Sequence, residues 1–256
     1  MTRRGECEYF PDMSRNTLRA VLSCSTAAIL VLAVSCTMSN TIVVKGDGSG
    51  TVAVRVEISK LFKEYLVNMA EIAGQAEIAK EGKLFDLKEI QKGFEGRPGI
   101  TVKRLASPKP ESLEVDIAFR SIQEVFASDD ALKSTGVISF TQSNGARTVK
   151  VHLDRTNYKQ TSTLFPGLSN PLFEGMGPQV NDTITEAEYL EMIKFSLGDE
   201  GPALVKKSFI EMSIRPEGEI VSQTGGTQTN GTVVFRIPLL RVMVLDKPLD
   251  YSVSYK

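Results

Sequence analysis

One histidine, His152, and three cysteines, Cys7, Cys24 and Cys36, bound the chemistry open to this chain. All three cysteines fall within the first 36 residues, so the remaining 220 hold neither a disulfide framework nor a cysteine-ligated zinc or iron-sulfur site. His152 stands in Val149-Lys150-Val151-His152-Leu153-Asp154. Strand alternation puts the valines and leucine on one face and His152 with Lys150 and Asp154 on the other, the setting of a solvated or hydrogen-bonded histidine. No Gly-x-Ser-x-Gly elbow or Walker-type phosphate loop is present, and Gly46-Asp47-Gly48-Ser49-Gly50 joins two strand-like runs as a turn. Glu186, Glu188 and Glu191 sit where a helix start favours negative charge, while Asp129-Asp130, Asp199-Glu200 and Asp246 lack the spacing of a calcium loop. No catalytic residue, no metal ligand set and no cofactor is expected.

Cys36 has a different reading. Arg15 and Arg19 precede a run from Ala20 to Val34 that is almost wholly small or apolar, the layout of an export signal. At about 15 residues the run is short of the roughly 20 that span a bilayer as a helix. It ends in Leu32-Ala33-Val34-Ser35-Cys36, which resembles the lipobox of bacterial lipoproteins, where a small residue precedes the cysteine that is diacylated and becomes the mature amino terminus. The pattern departs from the usual one in having Ala33 three places before the cysteine and Leu32 one further back. Such relaxed lipoboxes are a spirochaete trait. Cys24, preceded by Val21-Leu22-Ser23, lies only five residues after Arg19 and has no apolar region ahead of it.

The reading divides the chain into a signal peptide over 1–35, with Met13 the alternative start, a lipidated cysteine and short tether over 36–40, and a globular domain over 41–256. Two acyl chains give stable attachment where one is marginal, so the membrane is the expected partner, in the cell envelope and outside the cytoplasm, at the inner or the outer membrane. A tether of four residues spans about 15 Å at most. Composition suits a folded domain: 41% hydrophobic and 24% charged residues. Taking away residues 1–35, with four basic and three acidic side chains, from totals of 30 and 31 leaves 26 basic against 28 acidic groups. That near-neutral balance excludes the basic stripe nucleic acid requires.

The elements that would carry these residues are an α+β arrangement, an antiparallel sheet built from hairpins with helices on one face. Ile42–Val44 and Val52–Ile58 form the first hairpin, followed by a helix over Leu61–Ala73 capped by Ser59 and a shorter one capped by Asp86 with Glu89. Ile100 and Val102 pair with Leu113–Phe119 across Pro108 and Pro110, and Val137–Phe140 with Val149–Leu153 across Asn144-Gly145. Thr185 and Glu188 make a capping box for a helix through Tyr189, Met192, Ile193 and Leu197 that stops at Gly198. Short runs at Phe209–Ile214, Glu219–Val221, Thr232–Ile237, Val242–Leu245 and Tyr251–Tyr255 read as an antiparallel meander.

Residues 156–182 show neither period, and divide the domain into candidate subdomains 41–155 and 183–256. Their apolar side chains, Leu164, Phe165, Leu168, Leu172, Phe173 and Met176, are candidate contacts for a lipid or an envelope protein partner, or else complete the core. The early Gly-Ser-Gly hairpin, Ile184-Thr185-Glu186-Ala187-Glu188-Tyr189-Leu190, and Thr232-Val233-Val234-Phe235-Arg236-Ile237-Pro238-Leu239 followed by Tyr251-Ser252-Val253 resemble treponemal exported lipoproteins. More loosely they resemble the LppM-type domain of envelope lipoproteins. The resemblance implies an envelope location and an α+β domain and transfers no active-site residue. Three functions follow: a non-enzymatic binding or structural module, a carrier of lipid or another amphiphile, or a hydrolase with an unfamiliar site. A filled core, a continuous apolar cavity, or a cleft joining His152 to a serine and a carboxylate distinguishes them.

Overall fold

In the computed structural model the described residues are 36–72, 74, 80–161, 177–178 and 183–256. They belong to one unit, Ser35–Lys256. In chain order they form β1 (Thr37–Val44), β2 (Gly50–Glu57), α1 (Lys60–Ile72), α2 (Leu87–Phe94), β3 (Ile100–Ala106), β4 (Ser112–Phe119), α3 (Ile122–Ser128), α4 (Asp130–Thr135), β5 (Ile138–Ser143) and β6 (Ala146–Leu153). A short 3-10 turn, Tyr158–Gln160, precedes α5 (Glu186–Leu197), α6 (Gly201–Lys207), β7 (Phe209–Pro216), β8 (Ile220–Thr224), β9 (Thr227–Thr229), β10 (Thr232–Pro238), α7 (Leu239–Val244) and β11 (Leu249–Tyr255). The class is α+β, with helices packed against sheet.

The strands make two sheets where the sequence suggests one. The larger has the order β3-β4-β2-β1-β7-β10-β9, the smaller β5-β6-β11-β8. Every pairing is antiparallel except β1 with β7. The carboxy-terminal strands therefore do not run as a meander. β8 joins the smaller sheet and β9 the larger, and the chain crosses between them at Gly225-Gly226. A side chain at Gly226 would stand 2.7 Å from Val233 and 2.8 Å from the Phe235 ring, so this crossing requires glycine. Both sheets take strands from either side of 156–182, each side forming a contiguous block, and the blocks join through β1 with β7 in the larger sheet and β6 with β11 in the smaller.

Local signals explain the element ends. Asp86 accepts from the N–H groups of Lys88 and Glu89, Ser59 from Phe62, and Thr185 and Glu188 exchange both bonds of a capping box. Asn144 and Gly145 both have positive φ, as the tight turn between β5 and β6 demands. Gly50 faces Phe119 across β2 and β4, and a Cβ there would lie 2.0 Å from the Val43 carbonyl oxygen.

Two further expectations are corrected, at Thr37–Asn40 and at Val242–Leu245. Thr37–Asn40 are the first half of β1, paired with β2 and with β7, so they form no tether. Partners more than 170 residues away supply the pairing that Thr-Met-Ser-Asn does not announce. Val242–Leu245 is helical through Val244, because Leu240 and Val244, one turn apart, pack into a helical core with Tyr189, Ile193, Leu204 and Val205. Val242 and Leu245 face the other way, into the core between the sheets. Met192 is 53% exposed, because α5 buries Tyr189, Ile193 and Leu197 at intervals of four and turns Met192 and Phe195 outward.

The apolar residues gather in three clusters. The first lies between the sheets around Val44, Phe119, Ile214, Phe235 and Val253. The second holds α1 and α2 to the larger sheet through Leu66, Ile90, Leu113 and Val115. The third joins α5, α6 and α7. Each fully buried side chain of this kind contributes about 1.5–3 kcal/mol.

Candidate functional site

Cys36 is where the fold takes hold of the chain. Its N–H donates to Ser208 Oγ at 2.9 Å, and its carbonyl accepts from the Phe209 N–H at 3.3 Å. Ser208, at the end of α6, is 2% exposed, and its hydroxyl donates to the Leu204 carbonyl at 2.8 Å. The Cys36 sulfur turns toward the start of α1. Its thiol donates to Ser59 Oγ at 3.7 Å, and the Ser59 N–H approaches Sγ at 3.5 Å. The side chain is half-buried against the cluster that contains Ile58 and Leu66. Both backbone groups and the sulfur are thus placed before β1 begins one residue later.

His152 is the second place where chemistry-bearing side chains meet. It lies on β6 opposite Asp250 of β11. Nδ1 stands 2.9 Å from Asp250 Oδ1 and Nε2 3.3 Å from Asp154 Oδ2, while Lys150 Nζ reaches Asp250 at 3.2 Å. The Asp250 hydrogen bond is the largest influence and raises the imidazole above its ordinary pKa; burial opposes it, and the Asp154 carboxylate adds to the rise. In return the imidazole and then Lys150 lower the Asp250 carboxyl, and Asp154 is lowered chiefly by the Thr156 hydroxyl. Asp154 Oδ1 also accepts from the N–H groups of Thr156 and Asn157, tying the turn after β6. A histidine whose two nitrogens both face carboxylates presents neither to a nucleophile. Among the described residues no serine or threonine hydroxyl bonds it.

Asp129 and Asp130 are likewise structural. Asp129 Oδ1 accepts from the Leu132 N–H and its other oxygen stands 3.3 Å from Arg97, while Asp199 pairs with Lys194 at 3.3 Å. Among the described residues no three histidine, cysteine or carboxylate side chains are grouped to hold a metal. None of the helices described is long and apolar enough to cross a membrane. Leu164, Phe165, Leu168, Leu172, Phe173 and Met176 lie outside the described residues. A cleft of about 540 Å³ opens between α1 and Lys80-Glu81-Gly82, lined by Lys63, Glu64, Val67 and Asn68. Its charged wall suits water better than an acyl chain.

With that geometry in view, no family model and no curated protein matches the chain. Among solved structures, the NMR structure of the folded domain of the Mycobacterium tuberculosis LppM protein is similar, with a TM-score of 0.38 and 10% sequence identity over 86% of this chain and 89% of that one.

The sequence singles out Cys36 and His152 but not their partners. Ser208 is 172 residues from Cys36, and Asp250 is 98 from His152. No spacing rule links residues so far apart. Phe195, 94% exposed, did leave a trace: with Met192 it forms a second apolar stripe beside Tyr189, Ile193 and Leu197.

Proposed function

We propose that this chain is a bacterial envelope lipoprotein, held to a membrane by a diacylglyceryl thioether on Cys36 and acting by binding rather than by catalysis. The observation that carries the reading is how Cys36 is held. Conversion of the thiol to a thioether removes one proton donor, the contact to Ser59 Oγ at 3.7 Å, and leaves the sulfur lone pairs facing the Ser59 N–H. Cleavage before Cys36 and acylation of its nitrogen leave an N–H for Ser208 Oγ. The contacts of the Cys36 N–H and carbonyl and of the Ser59 N–H with sulfur are all chemically compatible with the modification. The clamped state of His152 supports a binding role, since the one histidine is engaged on both sides by carboxylates.

The test is metabolic labelling with palmitate in a bacterium that processes lipoproteins, comparing the natural chain with Cys36→Ala. The natural chain takes up label and fractionates with membranes, and the variant loses both. Label retained by Cys36→Ala overturns the assignment.

A further inference from the structure

The end of the fold that carries Cys36 also carries lysines. Lys206 and Lys207 are the last residues of α6, immediately before the Ser208 that binds the Cys36 N–H, and both are exposed. Consecutive Cα atoms are about 3.8 Å apart, so both lysines start within two such steps of Ser208. Lys60 follows Ser59, the residue that faces the Cys36 sulfur, and its side chain is 88% exposed.

Three acidic groups near this end are engaged by lysines, while Glu211, in register with Ser39 of β1, forms no ion pair among the described residues. Glu57, paired in register with Thr37, holds Lys109 at 3.1 Å; Glu111, whose carbonyl accepts from the Ile58 N–H, holds Lys63 at 3.0 Å; Glu64 holds Lys60 loosely at 3.7 Å. Lys206 and Lys207 have no carboxylate within ion-pair distance among the described residues. Two lysines with no ion-pair partner among the described residues therefore stand beside the residue proposed to carry the lipid. With β1 beginning at Thr37, no length of chain separates them from it.

We infer that this end of the domain is a binding surface for anionic lipid headgroups, with Lys206 and Lys207 as the principal contacts and Lys60 beside them. The inference rests on the lipid assignment at Cys36, which fixes this end at the bilayer. A thioether on Cys36 puts the first glycerol carbon at headgroup depth, and attachment without a tether holds the lysines inside the Debye length, about 10 Å at 0.1 M salt, where an anionic surface attracts them. Their position in the last turn of α6 also complements the helix dipole, a role indifferent to lipid composition. The experiment below separates the two.

The full chain, isolated with its lipid, is reconstituted in vesicles of phosphatidylcholine alone and of phosphatidylcholine with phosphatidylglycerol, then labelled with acetic anhydride and read by mass spectrometry. Lys45 is the internal reference: exposed, and just past the far end of β1, whose eight residues span about 26 Å. With phosphatidylglycerol at low salt, Lys206 and Lys207 label about fivefold more slowly relative to Lys45, the factor that corresponds to roughly 1 kcal/mol per lysine at an anionic surface. High salt abolishes the difference. Equal labelling in the two vesicle types overturns the inference. The mass of the Cys36 peptide in the same samples reports the anchor independently. Lipid present with equal labelling refutes the surface alone, and an unmodified Cys36 refutes the anchor and the surface with it.

Discussion

The surroundings of Cys36 and of His152 are built in opposite ways. At His152 each charge meets its opposite within the fold: two carboxylates, one imidazole and one lysine, closed on themselves across β6 and β11. At Cys36 the backbone is fully engaged by Ser208 and Phe209, yet Lys206 and Lys207 beside it have no carboxylate partner among the described residues. A closed set of charges is accounted for by the contacts it makes, whereas exposed lysines beside a rigidly held residue are free to meet the anionic surface proposed for them. The histidine side chain is chemically versatile, but its neighbours leave it no free nitrogen.

The comparison breaks most readily at Ser208. Its hydroxyl bridges the Cys36 N–H and the Leu204 carbonyl while almost wholly buried. Ser208→Ala leaves the Cys36 donor unpaired and is expected to cost about 1–3 kcal/mol in denaturant unfolding of the full chain. An unchanged midpoint would show that the Cys36 end is held by the sheet alone. Asn40 offers the reverse case. It sits on the inner face of β1, paired in register with Val54 and Met212, and its buried side-chain oxygen has no hydrogen-bond partner among the described residues. Asn40→Val removes that desolvated group and is expected to stabilise the fold by about 1 kcal/mol. A loss of stability would mean that the amide makes a contact worth keeping.

The parts of the fold legible in the sequence are those fixed within a few residues. The caps at Ser59, Asp86 and Thr185 and the Asn144-Gly145 turn were readable because their hydrogen bonds close locally. The strand at Thr37–Asn40 was not, since its partner β7 lies far along the chain and its residues are polar. Val242–Leu245 misled for a different reason: β-branched residues favour strands in isolation, but Leu240 and Val244 bury together only in a helix. The division of β8 and β9 between the two sheets depends on a crossing that Gly225-Gly226 permits without specifying. The same division runs through the candidate sites. Cys36 could be read from the residues before it, whereas Ser208 and Lys206-Lys207 come to its side only through the parallel pairing of β1 with β7.

The smallest effect is expected at His152, and pH gives it a signature. The folded imidazole has a raised pKa, so its contribution to stability is complete below the unfolded value, near 6.5, and fades as pH rises through the folded value. Asp250 and Asp154 have lowered pKa values, so their contributions hold above the unfolded carboxylate value near 3.9 and fade as pH falls through the folded ones. The cluster is therefore strongest between about pH 4 and 6.5. His152→Gln should lower stability most in that window, by about 1 kcal/mol at most for so exposed a group of charges, and by progressively less as the pH is raised. High salt should shrink the difference. A loss that is independent of pH would point to packing of the ring against its neighbours, and the closed charge set would then no longer be what distinguishes His152 from the open lysines beside Cys36.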